Sequence, residues 1–305
     1  MTRTVLVTGG AGFLGRAVAH EYAQSGWAVA GIGHSSWTWD EARRIGYSTW
    51  HNASVDLAGL SRITMSVDVV VHCAANGSVP YSLTHPLDAF RRTVQTTAEV
   101  LEFCRRLPRP PVVVYPSSAA VYGAAPNKAL SESSPSNPVS PYGYHKRMTE
   151  DLMASYARHG GPRAAIIRFF SIYGPGLEKQ LLWDASKKLT AGEPSVTFWG
   201  TGGETRDWIH VSDAARLIVA AAQLEDPFTV LNGGSGQRST VLDTLTLLRE
   251  QLGSSSCIEF NGEVREGDPR HYLADMTRAN AIGWLPKVSL REGFQEYAAW
   301  FKANQ

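Results

Sequence analysis

The sequence has almost no net charge: 29 lysines and arginines against 28 aspartates and glutamates leave +1 over 305 residues. That balance excludes the bulk electrostatic footprint of a nucleic-acid binder, leaving only a local patch to hold a phosphorylated ligand. Cysteine is scarce as well. Cys73, Cys104 and Cys257 lie far apart, lack paired metal-ligand spacing, and read as reduced core thiols of a cytoplasmic protein. No apolar run approaches the length that crosses a bilayer. Met1-Thr2-Arg3-Thr4-Val5 enters a strand without the basic and long apolar parts of a signal peptide, so a soluble protein is expected. Also missing are a Gly-x-Ser-x-Gly elbow, a Walker-type Gly-Lys-Ser/Thr loop and a His-Glu-x-x-His helix. The nine histidines are scattered, so no metal site is expected; His20, His72 and His210 read as packing or hydrogen-bonding residues. Most of the nine tryptophans are assigned to core contacts for want of clustering.

What the sequence has is an alternation of short apolar runs and amphipathic stretches in its first half, the pattern of βαβ units around a parallel sheet. Strands are expected at 4–8, 28–33, 68–73, 112–117 and 164–170. Between the first two, Leu14, Val18 and Tyr22 recur at helical spacing and Gly26 follows as a stop. After about Ser171 the rhythm becomes irregular and richer in Gly, Pro and Trp. The reading is a first domain over 1–172, with 206–224 returning to it as a helix at 213–223, and a smaller substrate-binding domain over 173–305. The Ser-, Pro- and Asn-rich stretch 126–138 reads as a surface loop.

Thr8-Gly9-Gly10-Ala11-Gly12-Phe13-Leu14-Gly15 follows the first strand and opens the first helix. Glycines at 10, 12 and 15 allow a tight turn, close approach of a pyrophosphate and close helix packing. The helix N-terminus then offers free N–H groups to the anion. The expected fold class is therefore α/β: a Rossmann-type, doubly wound parallel sheet, with the ligand cleft between its two domains.

Tyr142-Gly143-Tyr144-His145-Lys146 enters a helix after Pro141. Residues four apart share a helical face, so Tyr142 and Lys146 address one site, and a nearby cation is expected to lower the tyrosine pKa for acid/base work. Tyr144 has Met148 at that spacing and lacks such a partner. Upstream, Tyr115-Pro116-Ser117-Ser118-Ala119-Ala120-Val121-Tyr122-Gly123 ends a sheet strand, where a serine can bond a reacting oxygen of a ligand. Strand-end turn chemistry is the plainer reading of Ser117 and Ser118.

These motifs occur in order with Arg168-Phe169-Phe170-Ser171-Ile172-Tyr173-Gly174-Pro175 and Arg206-Asp207-Trp208-Ile209-His210-Val211. Together they resemble the extended short-chain dehydrogenase/reductase family, in its group of NAD-dependent nucleotide-sugar epimerases and dehydratases, UDP-hexose 4-epimerases above all. The resemblance implies that Tyr142 is the catalytic acid/base, that Lys146 holds the nicotinamide ribose and tunes Tyr142, and that Ser118 is the catalytic hydroxyl. It places Gly9, Gly12, Phe13, Leu14, Gly15 and Ala74, with Tyr142 and Lys146, around the dinucleotide; His34 and Ser35, after the second strand, are further cofactor candidates able to bond a ribose phosphate. It gives Ser118, Ser171, Arg206, Arg265, Asp268 and Tyr272 to the nucleoside-diphosphate sugar, the two arginines clamping the diphosphate and Tyr272 gating the substituent on carbon 2. It also implies a homodimer, paired through 90–106 and 142–158.

Two departures stand out. NAD enzymes usually end the second strand in Asp or Glu to bond the ribose hydroxyls, whereas here the run is Gly31-Ile32-Gly33-His34-Ser35-Ser36. NADP therefore stays open beside NAD. Dehydratases of the family carry an Asp-Glu pair after the Ser/Thr, where this chain has Ala119-Ala120, and methyl groups transfer no protons. Epimerisation of a UDP-hexose at carbon 4 is thus the expected reaction. The alternatives are an NADPH-dependent keto-sugar reductase, a dehydratase or decarboxylase, and a non-catalytic nucleotide-binding regulator.

Overall fold

The computed structural model describes residues 2–35, 37–124, 127–263 and 270–305. Along the first part of the chain come β1 (Thr4–Thr8), α1 (Phe13–Gln24), β2 (Ala28–Gly33), α2 (Trp39–Ile45), β3 (Thr49–Asn52), α3 (Leu57–Leu60), β4 (Val69–His72) and α4 (Val79–Thr84). Then follow α5 (Pro86–Phe90), a π-helical turn (Arg91–Gln95), α6 (Thr96–Arg106), β5 (Val112–Ser118), a 3-10 turn (Ala119–Val121), α7 (Pro141–Arg158) and β6 (Ala164–Phe169). The rest holds β7 (Ser171–Tyr173), α8 (Gln180–Leu189), β8 (Ser195–Phe198), β9 (Thr205–Arg206), β10 (Trp208–His210), α9 (Val211–Ala221), β11 (Phe228–Gly233), β12 (Ser239–Thr240), α10 (Val241–Leu252), β13 (Cys257–Phe260), α11 (Thr277–Ala281) and α12 (Leu290–Ala303).

Seven strands form one sheet in the order β11-β6-β5-β4-β1-β2-β3. The pairings from β3 across to β6 are all parallel. These strands are apolar because both faces are covered. Leu6, Ile32, Val70, Val113, Tyr115 and Ile166 meet Val100, Leu101 and Cys104 of α6 and Met153 of α7. Val5, Val7 and Val29 point the other way by the two-residue period of a strand, and α1 packs on β1 and β2 with Val18, Ala19 and Tyr22 buried. Emptying such a site, as in Met153→Ala, costs about 2–5 kcal/mol.

The order reverses at β1 and β4: from β1 the chain steps outward to β2 and β3, and from β4 it steps the opposite way to β5 and β6. A switch point of this kind opens a crevice at the carboxyl ends of the strands. It places the glycine turn after β1 beside Cys73 and Ala74 after β4. The doubly wound parallel sheet expected from the sequence is thus present.

Two compact units divide the chain. The first holds the sheet, through residues 1–123, 135–169 and 215–231. The second, 124–134, 170–214 and 232–305, is built from small pairings: β7 with β10 and β8 with β13, both parallel, and β9 with β12, antiparallel. Its core is aromatic, with Tyr173 against Trp208 and Phe294 at ring distances of 6.0 and 5.1 Å.

Candidate active site

Within the first unit, β1 ends at Thr8 and Gly9 turns the chain at φ +63°, a conformation that a side chain disfavours. A Cβ on Gly9 would lie 2.7 Å from the amide nitrogen of Ala74, so the turn rests directly on the segment after β4. The sequence assigned this turn to Gly10. The structure gives it to Gly9, while Gly10 is small because the Tyr47 hydroxyl occupies the space a Cβ would need. That hydroxyl donates to the carbonyl of Gly10 at 2.9 Å, tying β3's approach to the turn. Gly15 lies under the turn, where a Cβ would come 2.5 Å from the Gly9 carbonyl oxygen.

Gly12 begins α1 and brings no side chain to cap it. The first amides of α1, next to Phe13 and Leu14, are therefore available to an anion. A bare helix start and a backbone cradle that any Cβ would fill suit a pyrophosphate. A buried relay holds the cradle in place. Thr97 Oγ1 donates to the Thr93 carbonyl (2.6 Å), so it accepts from His72 Nε2 (3.0 Å); His72 Nδ1 in turn accepts from Thr8 Oγ1 (2.7 Å). The Ala74 amide donates to the same Thr8 oxygen at 3.3 Å. Burial, with the Lys146 charge, pushes His72 down to about 3, so the ring is a neutral strut.

At the end of β2, Gly33 leaves its flank open, with nothing closer than 3.7 Å to a Cβ built there. His34 is exposed, and Ser35 Oγ accepts from the Trp37 amide at 3.1 Å. Glu41 is committed elsewhere, since it closes a capping box with Thr38 at the start of α2. Ser36 lies outside the described residues.

Three consecutive residues of β5 meet three consecutive turns of α7. The Pro116 carbonyl accepts from Lys146 Nζ at 2.8 Å, Ser117 Oγ donates to Glu150 Oε1 at 2.6 Å, and Ser118 is hydrogen-bonded to Tyr142. Ser140 caps α7 and Pro141 starts it, while Ser82 of α4 receives the Tyr142 amide at 3.0 Å. Lys146 is 5% exposed and lies 4.4 Å from the centre of the Tyr115 ring. Tyr144, two positions beyond Tyr142, is 52% exposed and turned to solvent. Ala119 is buried beside Ser118, and Ala120 packs under α7, where a Cβ on Gly143 would reach 2.7 Å from its carbonyl oxygen.

The electrostatics differ from the sequence expectation. Burial raises the Tyr142 pKa and the Ser118 hydrogen bond only partly offsets it, so Tyr142 rests as the phenol. Lys146 does not reverse this: its ammonium lies 5.9 Å from the Tyr142 ring centre and is engaged with Pro116. Lys146 itself is pushed down to about 8 by burial, partly offset by Glu150.

Ser171, Arg206 and Tyr272 belong to the second unit. The Ser171 amide donates to the Asp207 carbonyl at 2.9 Å, which sets it beside Arg206. Tyr272 donates its amide to Thr205 at 3.2 Å, so the chain at 270–272 runs along β9. Its ring is 8% exposed, edge-on to Phe170 at 5.8 Å. Arg265 and Asp268 lie outside the described residues. The sequence reading missed Asp207. Fully buried, it accepts from the amides of Ser235 (2.6 Å), Gly236 (3.1 Å) and Ala274 (3.0 Å), and so anchors Arg206's strand to the segment following Tyr272. A lone carboxylate in the apolar run Trp208-Ile209-His210-Val211 and its flank was the available signal. Among the described residues no group of three His, Cys, Asp or Glu side chains could hold a metal, and no helix is long and apolar enough to cross a membrane.

A profile of the NAD dependent epimerase/dehydratase family matches residues 5–233. The UDP-glucose 4-epimerase of Azospirillum brasilense is 30% identical over 311 residues, covering 95% of this chain and 89% of that protein. Among solved structures, UDP-glucose 4-epimerase from Thermotoga maritima with UDP-glucose superposes with a TM-score of 0.90 at 28% identity, covering 99% of both chains. UDP-glucuronic acid 4-epimerase from Bacillus cereus, in complex with UDP-glucuronic acid and NAD, gives 0.88 at 26% identity, covering 99% of this chain and 100% of that one.

Proposed function

Because the chain belongs to the NAD dependent epimerase/dehydratase family, among the extended short-chain dehydrogenases, we propose that it epimerises a nucleoside-diphosphate sugar, a UDP-hexose at carbon 4, with NAD as its cofactor. The observation that carries this reading is the Ser118, Tyr142 and Lys146 set at the end of β5, followed by two alanines. It offers a proton-transferring phenol and a cation, and Ala119 and Ala120 supply no acid or base for eliminating water.

The cradle of Gly9, Gly12, Phe13, Leu14 and Gly15 with Ala74 would hold the pyrophosphate, and Lys146 the nicotinamide ribose. When bound, oxidised NAD supplies a hydride acceptor that later returns the hydride. Tyr142, a phenol at rest, would first have to give up its own proton, a step favoured by the positive charges of Lys146 and of bound oxidised NAD; it would then take the proton of the sugar hydroxyl and return it after the sugar has turned, while Ser118 orients that oxygen. Lys146, held by the Pro116 carbonyl, keeps a positive charge near the phenol at neutral pH. Arg206 and Arg265 would clamp the diphosphate, with Ser171 and Asp268 along the nucleotide and Tyr272 against carbon 2. A net charge of +1 suits a small-molecule substrate, and the proposed compartment is the cytoplasm. A homodimer through α6 and α7 completes the proposal; a monomeric mass by light scattering at micromolar concentration would refute that part.

One specific observation favours a second reading. Gly33 at the end of β2 brings no carboxylate to the ribose hydroxyls and Glu41 is tied to its own helix, which suits an NADPH-dependent keto-sugar reductase. Denaturing the purified protein and identifying the released nucleotide separates the two. Tightly held NAD, with interconversion of UDP-glucose and UDP-galactose in the absence of added cofactor, supports the epimerase; an empty protein that turns over only with NADPH defeats it. Tyr142→Phe is expected to lower turnover at least about a hundredfold with folding intact, and Tyr144→Phe to do far less. Equal effects would refute the role of Tyr142.

A further inference from the structure

One turn beyond Lys146, α7 buries a carboxylate that the proposed chemistry does not use. Glu150 is 4% exposed, accepts from Ser117 Oγ at 2.6 Å, and is clamped by Arg168, whose Nη2 donates at 2.7 Å and whose Nε lies 3.2 Å from both carboxylate oxygens. Arg168, from β6, also covers the Tyr122 ring at 4.9 Å. Burying an ion pair is a costly way to join a helix to a sheet, and an apolar pair of the same volume is often as stable. Its presence beside the buried Lys146 calls for a reason other than stability.

The groups facing Lys146 supply one. On α7 these are Tyr142 and Glu150, on β5 Tyr115, on β4 His72, after β4 Cys73, and across Glu150 the Arg168 guanidinium of β6. Burial raises Tyr142 and Tyr115, pushes Cys73 up to about 12 and holds His72 down to about 3, so all four are uncharged when Lys146 titrates. Of the set, Glu150 alone is an anion. Ser117, the residue it grips, sits between Pro116 and Ser118, the two residues that touch Lys146 and Tyr142.

We infer that Glu150 is a positioning residue for the proton-transfer site: its buried charge holds Lys146 as the ammonium, and its bond to Ser117 fixes the strand end that receives both Lys146 and Tyr142. Arg168 keeps Glu150 aimed through its three short contacts. The inference rests on the reading of Tyr142 and Lys146 as the acid/base pair, but its direct observable is the titration of Lys146.

That titration is measured on the purified protein, carrying 13C-labelled lysine, by following the Lys146 side-chain resonance with pH; Lys146→Met assigns the signal. In Glu150→Gln the midpoint is expected to fall from about 8 by at least about one unit, a tenfold weaker hold on the proton. The high-pH limb of turnover should move with it. If Glu150→Gln does not fold because Arg168 is left unpaired, Glu150→Gln with Arg168→Met removes both charges, and a smaller fall in the same direction is expected. An unmoved Lys146 midpoint in the variant that folds overturns the inference, whatever that variant's stability. Tyr142→Phe keeps the two ideas apart. Turnover surviving that substitution would sink the acid/base reading, while the Lys146 midpoint, which an uncharged phenol does not set, stays where it was.

Discussion

Replacing Gly9 by Ala perturbs the dinucleotide cradle in two separable ways. The first is conformational, since φ +63° at this position costs a residue with a Cβ about 1–2 kcal/mol. The second is steric. The new methyl would sit 2.7, 2.8 and 2.9 Å from the N and Cα of Ala74 and the carbonyl carbon of Cys73, all backbone atoms, where ordinary contact begins at 3.4 Å. Those atoms yield poorly, because the Ala74 amide is bonded to Thr8, which the His72 relay ties to α6. Overpacking of this kind typically costs about 1–3 kcal/mol. Gly26 provides the control: it has φ +77° and nothing within 4 Å of its Cβ position, so Gly26→Ala carries the conformational cost alone. Urea unfolding should therefore show Gly9→Ala less stable than Gly26→Ala by about 1–3 kcal/mol, and only Gly9→Ala should be purified without nucleotide. If the two variants lost equal stability and both kept nucleotide, the close approach of the turn to Ala74 would not be what selects glycine.

Three further outcomes follow from the site. Turnover should fall above about pH 8, because Lys146 is charged below its depressed folded pKa and neutral above it; a limb that persists unchanged in Lys146→Met would assign it elsewhere. Gly33→Asp, whose Cβ meets nothing closer than 3.7 Å, should weaken NADP(H) binding at least about tenfold relative to NAD(H), read by fluorescence titration of the reduced nucleotides, through repulsion of a ribose phosphate; an unchanged ratio would place the ribose away from Gly33. Tyr272→Ser removes a buried ring and should raise turnover of UDP-N-acetylglucosamine relative to UDP-glucose, whereas no gain would leave Tyr272 as packing against Phe170.

Much of the sheet was legible because parallel strands buried on both faces are written as unbroken apolar runs, as in Val112-Val113-Val114. β3 was not, since Thr49-Trp50-His51-Asn52 is short, polar and at the sheet's edge. Spacing put Tyr142 and Lys146 on one face and Tyr144 off it, because a helix repeats regardless of its surroundings. The direction of the Tyr142 pKa was not legible: it depends on how deeply the phenol is buried and on the Pro116 carbonyl that engages Lys146. The choice of Gly9 over Gly10 for the turn was hidden for a related reason. It rests on Ala74 lying against Gly9 and on Tyr47, 37 residues away in sequence, filling the space over Gly10, contacts that spacing does not reveal.

The order of the strands also decides what an unfinished chain exposes. β6 takes β5 on one side as soon as Phe169 is made, but its other neighbour, β11, begins only at Phe228. Until that strand leaves the ribosome, or in any fragment cut between them, Ala164-Ala165-Ile166-Ile167 stands as an open edge without proline or lysine to guard it. All six residues of β6 are buried in the finished molecule. A nascent or truncated chain therefore offers its neighbours an apolar template for strand pairing until β11 arrives.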